Sequence, residues 1–229
     1  MISKEISQHK TNLKNYFDGE GFDRWAAIYS DAENLSFVRK TIAQGHHQML
    51  AIAHQWLTDT SDVDTVLDAG CGTGLFSVAM ANQGYAVTAI DISPKMVSKT
   101  RQYAEQSNVI DNMGFVVGDI ENLQMHYDAV ACFDVLVHYP PDPFIALVNH
   151  LAQRCSKTLL LTYAPYNRFL AGLHRIGGWF PQDNRRTEIQ MTPDTIVVNA
   201  LASAGMRIHR SASVSRGFYH VKLVQAFAS

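Results

Sequence analysis

Four aspartates stand at places where an apolar run stops and a turn begins: Asp68, Asp91, Asp119 and Asp134. Asp68 closes the run Thr65, Val66, Leu67 and is followed by a loop with glycine at 70, 72 and 74 and Cys71 between the first two. Carboxylates hold cations and accept from hydroxyl and amino groups, while glycines admit positive φ and let a ligand approach bare backbone. The amides at the start of the following helix face the same ligand. A dinucleotide fingerprint, G-x-G-x-x-G, would require glycine at 75, and the residue there is Leu75. The glycines run G-x-G-x-G with an acid ahead of them, which suits a cationic ligand better than a pyrophosphate. Asp91 ends a second apolar run about twenty residues on, the place for an acid that grips ribose hydroxyls.

The scaffold that must carry these side chains alternates. Apolar β runs occur at 65–68, 86–91, 114–117, 129–133 and 158–162, with helical spacing at 75–83, 94–106 and 143–153. Ser93 before Pro94 is a helix start, with a hydroxyl cap and proline in the first turn. Such alternation predicts a parallel, doubly wound sheet with right-handed crossovers. The pattern then changes to a helix at 195–204 and two β runs, 206–213 and 218–227, joined at Arg216-Gly217 as an antiparallel hairpin. The expectation is an α/β chain with a mostly parallel seven-stranded sheet and one antiparallel strand from that hairpin.

Ahead of the first strand lie Leu13, Tyr16 and Phe17, then Phe22, Trp25, Ile28 and Tyr29, at helical spacing on both sides of the turn 18–21. A longer helix at 35–56 carries His46, His47 and His54, with no carboxylate or cysteine to complete a metal set, so these histidines read as solvated or capped. Residues 1–60 are therefore expected as a helical arm covering the site and 61–229 as the main domain. The stretch 164–191 is too long for a plain connection and reads as a cap.

The chain has 229 residues, 47% of them hydrophobic and 17% charged, with a formal net charge of −2. That balance disfavours a nucleic-acid partner. The cysteines, at 71, 132 and 155, lack metal-ligand spacing and read as reduced buried thiols in an intracellular protein. No protein-bound metal is expected. The first ten residues lack the apolar core of a signal peptide, and no run is long enough to span a bilayer.

DAGCGTG at 68–74 and AIDIS at 89–93 together resemble motifs I and II of the class I S-adenosylmethionine (SAM) methyltransferases, a Rossmann-like fold. The resemblance implies SAM as cofactor and S-adenosylhomocysteine as product. Asp68, Gly70, Cys71, Gly72 and Gly74 are then expected at the methionine part, Asp91 at the ribose, and Ile92, Met96, Asp119 and Ile120 at the adenine. Phe133 and Asp134 close the set, with backbone carbonyls toward the ammonium.

A narrower resemblance covers nearly the whole chain. YFDGEGFDRWAAIYS (16–30), CFDVLVHYP (132–140), LTYAP (161–165), IGGWFP (176–181) and RGFY (216–219) look like the magnesium-protoporphyrin IX O-methyltransferases of chlorophyll and bacteriochlorophyll synthesis. The end, RGFYHVKLVQ, departs from that family's usual small polar residues and acid. Membership would imply methyl transfer to one propionate of a Mg-porphyrin, with Mg brought by the substrate. It would also imply hand-over from magnesium chelatase and a cytoplasmic chain in peripheral contact with the photosynthetic membrane.

A propionate is ionised at neutral pH, so no strong base is needed. His138, just past the fourth strand, and Tyr29, on the arm, match positions the resemblance makes catalytic. Tyr139, Tyr163, Arg168, Arg175, Trp179, Arg185 and Arg186 are the expected acceptor contacts, since aromatic surface suits a macrocycle and arginine suits a carboxylate. The competing readings are methyl transfer to a smaller quinone-type phenol, which would need a true base, and a non-catalytic SAM- or tetrapyrrole-binding protein. A nicotinamide dehydrogenase fits least, given Asp68 and Leu75.

Overall fold

The structure, a computed structural model, describes residues 2–29, 36–166 and 189–228, with the side chains of 2–7, 24 and 27–29 outside that description. In chain order these form α1 (Ile2–Asp18), α2 (Glu20–Tyr29), α3 (Phe37–Thr58), β1 (Thr65–Ala69), α4 (Leu75–Asn82), β2 (Ala86–Asp91) and α5 (Pro94–Gln106). They continue with β3 (Met113–Val117), β4 (Tyr127–Cys132), α6 (Pro141–Gln153), β5 (Cys155–Pro165) and the short β6 (Met191–Thr192). The chain ends on α7 (Asp194–Ser203), β7 (Met206–Arg216) and β8 (Tyr219–Ala228).

The sheet runs β3-β2-β1-β4-β5-β8-β7, with β6 beside the end of β5. β1 to β5 are mutually parallel, and β8 is antiparallel to both β5 and β7. This is the expected doubly wound sheet with its terminal hairpin. Burial follows position. β1 and β4, covered on both faces, are almost continuously buried, whereas the edge strand β7 alternates through most of its length. Helices α3, α4 and α5 pack on one face, and α6 and α7 on the other.

Several boundaries extend past the apolar runs. β4 begins at Tyr127 rather than 129 because Asp128, which interrupts the run, has its own partners in the sheet. Its Oδ2 accepts from the backbone N–H of Asp64 and Thr65 and from Thr65 Oγ1, each at 3.0 Å, and so staples β4 to β1. Ser93 caps α5 as read, its Oγ accepting from Met96 N at 3.2 Å with Pro94 at the first helical position. No described helix is long and apolar enough to cross a membrane.

α3 docks on the hairpin through a glycine. A Cβ built on Gly45 would stand 2.5 Å from Tyr219 Cδ1 and 2.9 Å from its Cβ, the root of the side chain, which cannot swing away. Gly45→Val therefore forces α3 off β8. Overpacking of this kind costs about 1–3 kcal/mol, about 2–4 °C in Tm per kcal/mol for a chain of this size. Thermal unfolding checks it; an unchanged Tm would mean the helix is not held closely on the hairpin.

Candidate active site

The carboxyl ends of β1, β2, β3 and β4 open into one cleft with about 1020 Å³ of atom-free space, its open mouth included. The glycine loop forms its floor, and each glycine has a separate reason to be there. Gly70 has φ +87°, and a Cβ on it would come 2.1 Å from Val135 Cγ2. Gly74, also at φ +87°, turns the chain into α4 and backs onto Thr100, so it shapes the loop rather than the wall. Gly72, at φ +52°, has nothing within 4 Å of its missing Cβ and lies on the cleft wall, so it presents bare backbone. Cys71 is buried beside it, its Sγ 3.5 Å from Thr100 Oγ1.

Two acids flank this loop, Asp68 buried and Asp91 half-buried. Asp68 is 2% exposed and accepts from Ser77 Oγ at 2.5 Å. Burial pushes its carboxyl up to about 7; the Ser77 bond works against the rise and the nearby Asp91 charge adds to it. Asp91 accepts from Ser93 N at 2.9 Å and Gly72 N at 3.0 Å, and burial carries it to about 6 against those bonds. Neither has an ion-pair partner among the described residues. Carboxylates buried without a cation are expensive.

A third acid, Asp134, sits just past β4 with φ +56°, a backbone state that costs an aspartate on the order of 1 kcal/mol. The turn is held by Thr162 and Tyr219. Asp134 N donates to Thr162 Oγ1 at 2.7 Å, and the Tyr219 hydroxyl lies 2.9 and 3.1 Å from the two carboxylate oxygens. Burial raises its carboxyl to about 6 against the bonds from Tyr219 and Thr162. His46 Nε2 lies 3.7 Å from Asp134 Oδ2. Burial, with the adjacent His47, pushes the His46 imidazole down to about 3. It is therefore neutral at pH 7, and the contact is dipolar rather than an ion pair.

At the far end Asp119 accepts from Glu121 N with one oxygen (3.1 Å) and from Lys10 Nζ with the other (2.7 Å). Burial alone would lower Lys10; its bonds to Asp119 and Glu121 outweigh that and raise it. Ile92, Met96 and Ile120 give this end its apolar walls, and Phe133 stands edge-on to Phe76 near the middle. His138 and Tyr139 lie on the remaining wall, and the His138 ring meets the edge of Phe17 at a centroid distance of 5.6 Å. Burial, then the charges of Asp119 and Glu121, push the Tyr139 phenol well above its ordinary value, so it stays a hydrogen-bond donor.

Sequence reading thus placed Asp68, Gly70, Cys71, Gly72, Asp91, Ile92, Met96, Asp119, Ile120, Phe133, Asp134, His138 and Tyr139 around one cleft. Gly74, expected at the cofactor, lies behind the wall against Thr100, and two further expectations are corrected. Tyr163 is 2% exposed inside the core, its hydroxyl donating to Asp194 Oδ1 at 2.7 Å, because its position on β5 points it under α7 rather than into the cleft. His46 is not a solvated or capped histidine but part of the cleft wall, packed against Trp25 and Tyr219. The side chain of Tyr29, and Arg168, Arg175, Trp179, Arg185 and Arg186, lie outside the described residues. The reading also missed Lys10, Leu13, Phe17 and Leu50 as site residues. Their helical spacing was visible, but nothing local says which strand ends a preceding helix will cross.

Comparison with known proteins agrees with this arrangement. The family described as "Magnesium-protoporphyrin IX methyltransferase C-terminus" matches residues 132–228, and a general methyltransferase domain matches 66–157. A magnesium-protoporphyrin O-methyltransferase of Synechocystis sp. is 35% identical over 223 residues, 96% of each chain. The chloroplastic magnesium protoporphyrin IX methyltransferase of Arabidopsis thaliana is 34% identical over 95% of this chain and 70% of its own. The crystal structure of the Synechocystis enzyme with bound S-adenosylhomocysteine superposes with a TM-score of 0.88, covering 96% of this chain and all (100%) of that one, at 35% identity. With full-length similarity at that level, and a class I methyltransferase sheet whose strand ends carry the acids and glycines, the chain belongs to the magnesium-protoporphyrin IX methyltransferase family.

Proposed function

We propose that this chain transfers the methyl group of SAM to a propionate carboxylate of Mg-protoporphyrin IX, giving the monomethyl ester in chlorophyll or bacteriochlorophyll formation. The observation that carries this reading is the similarity to the Synechocystis enzyme across 96% of both chains. The cleft is chemically suited to it. Asp68, buried, and Asp91, half-buried, have no ion-pair partner among the described residues, and Gly72 offers bare backbone to a ligand. Asp68 ionises opposite the cofactor's ammonium, Asp91 accepts from the ribose hydroxyls, and Ile92, Met96 and Ile120 enclose the adenine. Asp119 keeps acceptor capacity for the adenine amino group, since a carboxylate has about four lone-pair sites and two are used.

The cofactor supplies an electrophilic methyl on a sulfonium, and the acceptor supplies an ionised carboxylate. Bringing opposite charges together while cancelling both is opposed by water, so a dry cleft that fixes the approach of oxygen contributes most of the rate. Asp134 keeps the turn after β4 in its strained form so that the carbonyls there face the cofactor. His138 steers the propionate oxygen and takes a proton from any acid form; Tyr139 donates to the same carboxylate. We place Tyr29 as a second contact to that oxygen, and residues 164–191, with Arg168, Arg175, Trp179, Arg185 and Arg186, over the macrocycle. Exposed Phe37, Tyr166 and Phe218 at the cleft end of the molecule favour delivery of an apolar substrate from a membrane surface. Hand-over from magnesium chelatase rests on family resemblance alone.

Incubation with labelled SAM and Mg-protoporphyrin IX should give a porphyrin one methyl heavier, with catechol and quinol acceptors inert. The reading fails if SAM binds but no porphyrin ester forms. His138→Ala should lower kcat by roughly 100-fold or more, in the range of lost proton-transfer and steering groups, while SAM affinity stays within about twofold. An unchanged kcat would end that assignment.

The raised acids set a pH dependence. A folded-state carboxyl near 7, against about 4 unfolded, favours folding at low pH, and this contribution is lost as pH rises through 7. Ligand-free Asp68→Asn should accordingly be more stable than the parent at pH 8, by up to about 4 kcal/mol, with the gain shrinking toward pH 5. Cofactor binding runs the other way because it needs the anion. Parent affinity for SAM should fall roughly 10- to 20-fold from pH 8 to pH 6, and Asp68→Asn should bind weakly with a flatter profile. Urea titrations and calorimetry at both pH values check the two signs.

A further inference from the structure

One helix, α1, is tied to three of the turns that form the cleft. Its last residue reaches the turn after β2, where Ser93 Oγ donates to Asp18 Oδ1 at 2.5 Å. Lys10 Nζ lies between Asp119 Oδ2 and Glu121 Oε2, at 2.7 and 2.8 Å, in the turn after β3. Its neighbour His9 sends Nε2 to the carbonyl oxygen of His138 at 2.8 Å, in the turn after β4. A carbonyl oxygen only accepts, so the His9 ring carries a hydrogen on Nε2. Between these anchors Leu13 and Phe17 come down onto the cleft.

Packing does not require the polar contacts. An amphipathic helix could lie across the cleft on Leu13 and Phe17 alone. A lysine side chain only 13% exposed between two carboxylates contributes modest net stability, because desolvation offsets much of the attraction. What such a group does contribute is register, since a shift of the helix would leave a charge partly buried and unpaired. The same holds for His9, whose acceptor belongs to the residue assigned to steer the methyl acceptor.

We infer that His9 and Lys10 are positioning residues for methyl transfer: Lys10 fixes the adenine-end turn carrying Asp119, and His9 fixes the turn carrying His138. One helix then sets the distance between the cofactor and the acceptor-side histidine. This rests on the reading of His138 and of the cofactor end given above. The two residues divide their effects. Lys10 acts through cofactor affinity, and His9 acts through the chemical step.

The test uses the full chain with Mg-protoporphyrin IX and SAM. Lys10→Met should raise KM for SAM about tenfold with kcat within about twofold, as loss of a charged hydrogen bond at the binding end would, and Lys10→Arg should restore it. His9→Leu should lower kcat about tenfold or more at saturating substrates with SAM affinity kept, since displacements of about 1 Å at a reacting group can be that severe. His9→Gln, whose amide nitrogen can still donate to the His138 carbonyl, should recover most of the rate. A lower Tm with kcat and KM both unchanged in Lys10→Met and His9→Leu overturns the positioning role. So does an unimpaired His9→Leu beside an inactive His138→Ala. A fully active His138→Ala instead removes the reading on which the inference stands.

Discussion

Asp68 is the constraint around which the structure is arranged. A carboxyl group with 2% exposure, bonded to one serine and facing a second acid, is an unfavourable thing for a fold to hold. β1 can present it only because its flanks are covered by α3 and α4 on one face and α6 on the other, and because the glycine loop turns away from it at once. On the proposed reading, in which a cofactor cation meets Asp68, stability of the empty protein and affinity for the cofactor are set against each other at one residue.

Asp134 shows the same exchange in the backbone. Its left-handed φ is sustained by Thr162 from β5 and Tyr219 from β8, so the strained turn depends on the antiparallel strand lying correctly in the sheet. Tyr219 in turn is seated on Gly45 of α3, and the helix can come that close only without a side chain at that position. A chain of contacts thus runs from a helix before the first strand, through the terminal hairpin, to the turn after β4 that lines the cleft. The hairpin of this sheet is not merely an edge: it supports the cleft end of β4.

The sheet, its order of elements and its terminal hairpin were legible in the sequence because period-two and period-3.6 patterns are local. So was one wall of the cleft: Asp68, Asp91, Asp119 and Asp134 are strand-end residues, and parallel topology brings strand ends together. Strand limits were less legible. Asp128 looks like a break until its three bonds to the start of β1 are known. Tyr163 shows the opposite error, a chemically apt side chain whose strand register sends it into the core. His46 was misjudged because a histidine on an amphipathic helix reads alike whether water or a buried acid faces it. Only the packing of α3 against β8 distinguishes the two.

What the helices before β1 do follows from a geometric fact about this fold. A doubly wound sheet leaves its ligand cleft open at the carboxyl ends of the strands, where loops alone stand between ligand and water. Transfer between a sulfonium and a carboxylate needs those charges stripped of water, and short β–α turns cannot supply that cover. A preceding helix can, provided it is held at a fixed height over turns from separate strands. α1 meets that condition with a charged pair at one turn, a carbonyl contact at the next and a hydroxyl–carboxylate bond at the third, while apolar Leu13 and Phe17 face the cleft. The polar contacts give the strap its register, and the apolar ones keep the site dry. The sheet leaves its cleft open at the strand ends, and α1 is tied across three of the turns there.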